Sequence, residues 1–315
     1  MHTPPTRIVI VGAGHVGATF AYSLVLGGLA AEIVLIDREG SRAEGEAMDL
    51  SHAVPFVAPT RIRPGTFEDC RGAAMVVITA GAGQRPGETR LDLAGRNAAI
   101  IRDVVPRIVA ANPDVVLLVA TNPVDVLTYA TLRVSQLPAS RVIGSGTILD
   151  TARFRHLLGE HLRVDARSIH AYIIGEHGDT EVPVWSLANV AGMRLDEFRR
   201  VHGHADDDAV LRSIVEDTRR AAYLIIERKG ATYYAVAAGL MRIVEAVLRN
   251  QSTVLSVSSL VPGFYGIDDV CLSLPSVVSR VGIERVLQLD LNDEETAALR
   301  HSADVLRRVN RQLGF

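Results

Sequence analysis

The residues best suited to chemistry lie in Ile173-Ile174-Gly175-Glu176-His177-Gly178-Asp179, near the middle of the chain. Imidazole takes up and returns a proton near neutral pH, and the flanking glycines let the backbone turn tightly and bring other groups up to the ring. A single loop histidine is most often an ordinary surface residue, so His177 gains meaning only from its possible partners. Asp150 and Arg153 are three apart in a helix-like stretch, Leu149 to Leu158, and so share a face. They could be a mere surface ion pair. As site residues, Asp150 would orient a histidine and favour its imidazolium, while Arg153 would grip a carboxylate through two parallel hydrogen bonds. Upstream, Gly81-Ala82-Gly83-Gln84-Arg85-Pro86-Gly87-Glu88-Thr89-Arg90 is too polar and glycine-rich for a core and reads as a mobile loop or lid. Arg90, beyond the carboxyl end of a strand, would face a substrate. Together these groups suit the transfer of a hydride and a proton, with His177 handling the proton and Arg90 stabilising charge on the reacting oxygen.

A hydride needs a carrier, and the amino-terminal stretch fits one. Ile8 to Val11 is a short, branched, apolar run of the kind buried on both faces of a parallel sheet. Gly12-Ala13-Gly14-His15-Val16-Gly17 then opens a helical stretch, Ala18 to Leu26. Glycines at that spacing allow a tight turn, approach of backbone to a pyrophosphate, and close helix–strand packing, with the helix N-terminus facing the phosphates. A second strand, Ile33 to Ile36, ends in Asp37, twenty residues after Gly17. A carboxylate there accepts hydrogen bonds from ribose hydroxyls and repels a 2′-phosphate, so the expected cofactor is NAD rather than NADP. Arg38 and Arg42 stand nearby. Gly81-Ala82, Thr121-Asn122 and Ser145-Gly146 each follow a strand and should also face the nucleotide. The cofactor-binding set is therefore Gly12, Gly14, Val16, Gly17, Asp37, Arg42, Gly81, Ala82, Thr121, Asn122 and Ser145.

The elements that must position these groups alternate. Strand-like Met75 to Thr79, Val115 to Val119 and Val142-Ile143 are separated by helical segments such as Arg96 to Ala111, which stops before Asn112-Pro113. Such alternation predicts an α/β fold: a Rossmann-type doubly wound parallel sheet over residues 1–146, followed by an α+β substrate and catalytic domain over 147–315. In the second part, Arg167 to Ile174 and Thr253 to Leu260 look like strands of a smaller antiparallel sheet. Asp206 to Ile226 reads as a long amphipathic helix, broken near Lys229-Gly230 and resumed over Tyr233 to Leu248. Small residues Ala235, Ala237, Ala238 and Gly239 suggest close backbone packing, against another subunit for instance. Asn292 with Glu295 forms a capping-box start for the last helix.

Bulk properties agree. The chain has 315 residues, 48% hydrophobic and 22% charged, as expected of a soluble globular enzyme, and a formal net charge of −3 argues against a nucleic-acid binder. Cys70 and Cys271 lack metal-ligand spacing and read as buried reduced thiols of a cytoplasmic protein. No metal is expected, and no apolar run is long enough for a membrane span.

Jointly, Gly12 to Gly17, Gln84 to Arg90, Thr121-Asn122-Pro123-Val124-Asp125, Asp150 to Arg155, Gly175 to Asp179 and Thr232 resemble the bacterial L-lactate dehydrogenases along essentially the whole chain. The resemblance implies NADH-dependent reduction of pyruvate to L-lactate. His177 would be the proton donor and acceptor held by Asp150, Arg153 would bind the substrate carboxylate, Asn122 and Arg90 would polarise the carbonyl, and Gln84 and Thr232 would line the pocket. It further implies a homotetramer and, at Arg155 and His170, a site for the effector fructose bisphosphate, although both residue types also occur in relatives that ignore it. Arg85 stands where lysine is common. The rival is malate dehydrogenase, or a broader L-2-hydroxy acid dehydrogenase; a dicarboxylate calls for a cation where this chain has Gln84, and Glu88 would repel it. A non-catalytic NAD-binding protein would have lost His177, Asp150 or Arg153.

Overall fold

The computed structural model describes residues 6–83, 87 and 89–315, the side chain of Arg90 excepted. Six parallel strands come first in the chain: β1 (Arg7–Val11), β2 (Glu32–Ile36), β3 (Arg61–Pro64), β4 (Met75–Ile78), β5 (Val116–Val119) and β6 (Val142–Gly144). Between them run α1 (His15–Gly27), α2 (Gly40–Ala53), α3 (Arg90–Ala111) and α4 (Val124–Ser135). The spatial order β3-β2-β1-β4-β5-β6, every pair parallel, is the doubly wound arrangement that the alternating sequence predicts.

The branched strands are buried on both faces because helices cover both. Ile8 and Ile10 point into a core with Phe20 and Leu24 of α1, while their neighbours Val9 and Val11 point the other way, onto Ile101 and Val105 of α3 and Val124 and Leu127 of α4. Each such side chain, taken fully out of water, contributes about 1.5–3 kcal/mol. The two layers therefore hold the carboxyl ends of β1, β4, β5 and β6 in one row.

The remaining elements are α5 (Ile148–Leu162), β7 (Ile169–Ile174), β8 (Val182–Val190), β9 (Met193–Arg194), α6 (Leu195–Val201), α7 (Asp208–Lys229), α8 (Tyr234–Leu248), β10 (Thr253–Leu260), β11 (Cys271–Ser279), β12 (Gly282–Val286) and α9 (Asp293–Gln312). Here one expectation fails. Thr253–Leu260 does not join β7 in a small sheet; it pairs antiparallel with β6 through Ser258 and Gly144 and with β11 along its length, so the main sheet has nine strands. β6 would otherwise present an unpaired edge inside the molecule, and buried N–H and C=O groups need partners. The small sheet is β7-β8-β9. The small residues of α8 also divide: Ala237 is buried in the chain's own core and Gly239 faces Ile148, leaving Ala235 and Ala238 exposed. Cys70 and Cys271 are buried thiols, as expected. Among the described residues no helix is long and apolar enough to cross a membrane.

Candidate active site

Four elements converge on the His177 loop. Thr147, just before α5, and Thr151, in its first turn, tie that helix to β7: Thr147 Oγ1 donates to the Ile173 carbonyl (2.6 Å), and Ile173 N donates to Thr151 Oγ1 (3.0 Å). This brings Asp150 up to the ring. Gly175 pairs with Ser273 of β11, Glu176 N donates to Ser302 Oγ of α9 (2.8 Å), and His177 N donates to Asp125 Oδ2 of α4 (2.7 Å). Backbone bonds thus hold the loop while the imidazole is steered separately.

His177 Nδ1 and Asp150 Oδ2 lie 2.5 Å apart, and Asp150 Oδ1 accepts from an Arg153 amino group at 2.9 Å. The carboxylate is 3% exposed, the imidazole 24% and the guanidinium 14%. Asp150 therefore bridges the two cations, and its link to Nδ1 leaves Nε2 as the ring nitrogen that can meet a reacting oxygen. Burial alone would pull His177 towards neutrality, but the adjoining Asp150 charge and hydrogen bond outweigh it and push the ring up to about 9. Asp150 pays burial's upward pull as well, yet its two cationic neighbours hold it below the ordinary aspartate value. The pair can thus keep an imidazolium at neutral pH in a place with little water.

Two buried acids near the dyad escaped the sequence reading. Glu181, at the entry to β8, is pushed up to about 8 by burial and then by the Asp150 charge, and it faces Arg219 of α7 at 3.9 Å. Asp125 is raised to about 6 by burial, partly offset by the hydrogen bond from His177 N. Glu181 precedes an ordinary strand and Asp125 lies in an ordinary helix, and only the Thr121–Asp125 motif could have pointed to the second. A third missed residue is Asn97, 1% exposed on α3. Its Oδ1 accepts from Ala82 N (2.8 Å) and its Nδ2 donates to the Asn122 carbonyl (2.7 Å), joining the turns after β4 and β5.

The glycine turn fits a dinucleotide. Gly12 has φ +109°, and a Cβ on it would come within 2.5 Å of Ala80 N, whereas a Cβ on Gly17 would strike the Gly12 carbonyl. A Cβ on Gly14 meets nothing within 4 Å, so the turn leaves open space at the start of α1 where a phosphate needs it. Asp37 sits at the end of β2 with Oδ2 accepting from Ala13 N (2.7 Å) and Oδ1 from Glu39 N (3.0 Å), which keeps spare lone pairs for ribose hydroxyls. Val16 lies in the first turn of α1 and Arg42 is exposed on α2. Gly81, Ala82, Thr121, Asn122 and Ser145 follow β4, β5 and β6 in the same row. Thr232 is half-buried between α7 and α8, while Arg155 of α5 donates to the Ala171 carbonyl and stacks over Tyr172, beside exposed His170 on β7. Gln84, Arg85 and Glu88 lie outside the described residues, as does the Arg90 side chain, although the Arg90 backbone begins α3.

Comparison with known proteins gives a consistent picture. Residues 6–144 match the family model for the lactate/malate dehydrogenase NAD binding domain, and residues 147–313 that for the lactate/malate dehydrogenase alpha/beta C-terminal domain. The chain is 52% identical to an L-lactate dehydrogenase of Acetivibrio thermocellus over 98% of this chain and 97% of the relative. It is 53% identical to one of Gloeobacter violaceus, over 97% and 94%. Among solved structures, the minor L-lactate dehydrogenase of Enterococcus mundtii superposes with a TM-score of 0.95 at 42% identity, covering 98% of each chain.

Proposed function

The chain belongs to the lactate/malate dehydrogenase family, and from this premise we propose that it is an NAD-dependent L-lactate dehydrogenase that reduces pyruvate to L-lactate reversibly. Bound NADH supplies the hydride to the carbonyl carbon. The chain's own residues do the rest. Arg153, with one amino group on Asp150, offers its remaining N–H groups to the substrate carboxylate, which fixes the carbonyl beside the ring. Imidazolium His177 gives the Nε2 proton to the oxygen as charge grows there, and in lactate oxidation the neutral ring takes it back. Arg90 and Asn122 polarise the same oxygen, Gln84 and Thr232 line the side-chain pocket, and Asp37 with the glycine turn holds the dinucleotide. The observation that best supports this reading is the Arg153–Asp150–His177 chain of contacts, which joins a carboxylate grip to a charged proton donor.

The division of labour falls near residue 146, with cofactor binding before it and proton transfer and substrate orientation after it. The enzyme works in the cytoplasm as a homotetramer, and Arg155 and His170 form part of a fructose bisphosphate site. The deciding assay is NADH oxidation with pyruvate, oxaloacetate and branched 2-oxo acids side by side. Pyruvate should have the highest kcat/KM. A preference for oxaloacetate would make the protein a malate dehydrogenase, and a preference for a branched acid a broader L-2-hydroxy acid dehydrogenase.

A further inference from the structure

Away from the active site, the fold assembles a donor set that the sequence spreads over two segments. His161 lies in the last turn of α5, His204 in the connection between α6 and α7, and Asp207 immediately before α7. His161 Nε2 is in close contact with Asp207 Oδ2, and His204 Nδ1 lies 3.7 Å from the same oxygen. The rings meet edge to face with centroids 4.9 Å apart, and one ligand atom from each residue lies within 4.8 Å of the others. All three side chains are largely covered, with 20%, 25% and 10% of their surface exposed.

A simple His–Asp hydrogen bond accounts for His161 but not for His204, whose Nδ1 lies 3.7 Å from that oxygen, beyond hydrogen-bond reach. A cation shared by the three accounts for both. Two imidazoles and a carboxylate are the donors that borderline cations prefer, and Zn²⁺ takes N and O ligands at about 2.0–2.2 Å. Tetrahedral geometry at those lengths sets the donors about 3.3 Å from one another, so small side-chain rotations from the observed spacing suffice. Arg199 of α6 already holds the other oxygen, Asp207 Oδ1, and also bonds Asp208. It fixes the carboxylate's orientation as an outer-shell partner does, while its positive charge limits the affinity.

We propose that His161, His204 and Asp207 form a binding site for a zinc-class divalent cation, with a fourth position left for water, that pins the start of α7 to the end of α5. The consequence is mechanical. α7 packs on α5 and carries Arg219, whose guanidinium donates to the Glu181 carbonyl at 2.9 Å, so a cation here stiffens the helix that borders the dyad.

Zn²⁺ alone, titrated calorimetrically into the metal-free full chain at neutral pH, tests this. The expected result is one ion per chain at micromolar affinity, with a thermal midpoint raised by a few degrees. Both effects should weaken at least tenfold in His161→Gln and in His204→Gln, while metal-free turnover with NADH and pyruvate shows that both variants are folded. Co²⁺ on the wild-type chain should give the visible bands of a four-coordinate N/O site, a readout that depends on no variant. Absence of saturable uptake, uptake unchanged in both variants, or a six-coordinate Co²⁺ spectrum overturns the site.

Discussion

At the scale of single residues, the proposed function makes the protonation of His177 the control on the direction of chemistry. Its imidazolium is stabilised by Asp150 up to about 9, so pyruvate reduction, which needs the protonated ring, should hold from neutral pH to about that value and fall above it. Lactate oxidation needs the neutral ring and should rise over the same range. Asp150→Asn removes the charge that opposes burial, so the ring pKa drops and the fall in reduction moves to lower pH. Pyruvate kcat/KM at neutral pH should drop roughly 10²–10⁴-fold, the ordinary worth of general acid catalysis, and a profile that does not move would remove Asp150 from its role. On the proposed function, Gln84 would carry the substrate choice. In Gln84→Arg, oxaloacetate gains a forked partner and pyruvate leaves a charge unpaired, a change worth about 2–5 kcal/mol. At about 1.4 kcal/mol per tenfold, preference should move tens to thousands of fold towards oxaloacetate. A ratio of kcat/KM that stays within a few fold would sink the pocket assignment.

At the scale of elements, the glycine turn and the end of β2 act as one unit, because Asp37 accepts from both Ala13 N and Glu39 N. Asp37→Ser would shorten that reach and remove the charge that, in the proposed site, repels a 2′-phosphate. NADH should bind more weakly, the gap to NADPH should narrow, and kcat at saturating NADH should change far less than KM. Unchanged relative use of the two cofactors would take Asp37 out of the site. The same turn explains what was legible in the sequence. Glycine spacing, a branched strand and an acid at a fixed distance are local signals, and so are capping boxes: Asn292 with Glu295 caps α9 as expected. The box of Thr89 with Asp92 starts α3 at Arg90, six residues before the expected start, because the polar lid-like stretch masked it. What stayed hidden depends on contacts distant in sequence. β10 looks like any short strand until β6 needs an edge partner. Asn97 and Asp125 sit in helices and Glu181 just before β8, and only packing reveals that they face the turns and the dyad.

At the scale of the whole molecule, the doubly wound half carries an exposed apolar surface for which one chain has no use. Tyr22 and Leu26 of α1, Met48 of α2 and Phe56 just beyond it are all exposed, and α1 packs against both α2 and α8, whose Tyr234, Ala235 and Ala238 are exposed too. Apolar groups exposed on neighbouring helices mark a candidate contact with another molecule, and in the proposed homotetramer a second copy of the chain would cover them. An effector bound at Arg155 and His170 would act through such contacts, so fructose bisphosphate should lower the KM for pyruvate, less so in Arg155→Ala; an activity curve indifferent to it at pH 6 and pH 7.5 would remove that site. The assembly itself is tested by sedimentation velocity. Wild type at micromolar concentration should sediment as a species several times larger than one chain. Leu26→Glu with Met48→Glu forfeits about 1.5–3 kcal/mol of burial at each side chain and sets unpaired charges in a dry interface. At about 1.4 kcal/mol per tenfold, the dissociation constant should rise at least a hundredfold and smaller species should appear. If the wild-type chain sediments alone at every concentration, or the double variant stays fully assembled, the subunit contact does not lie on this face.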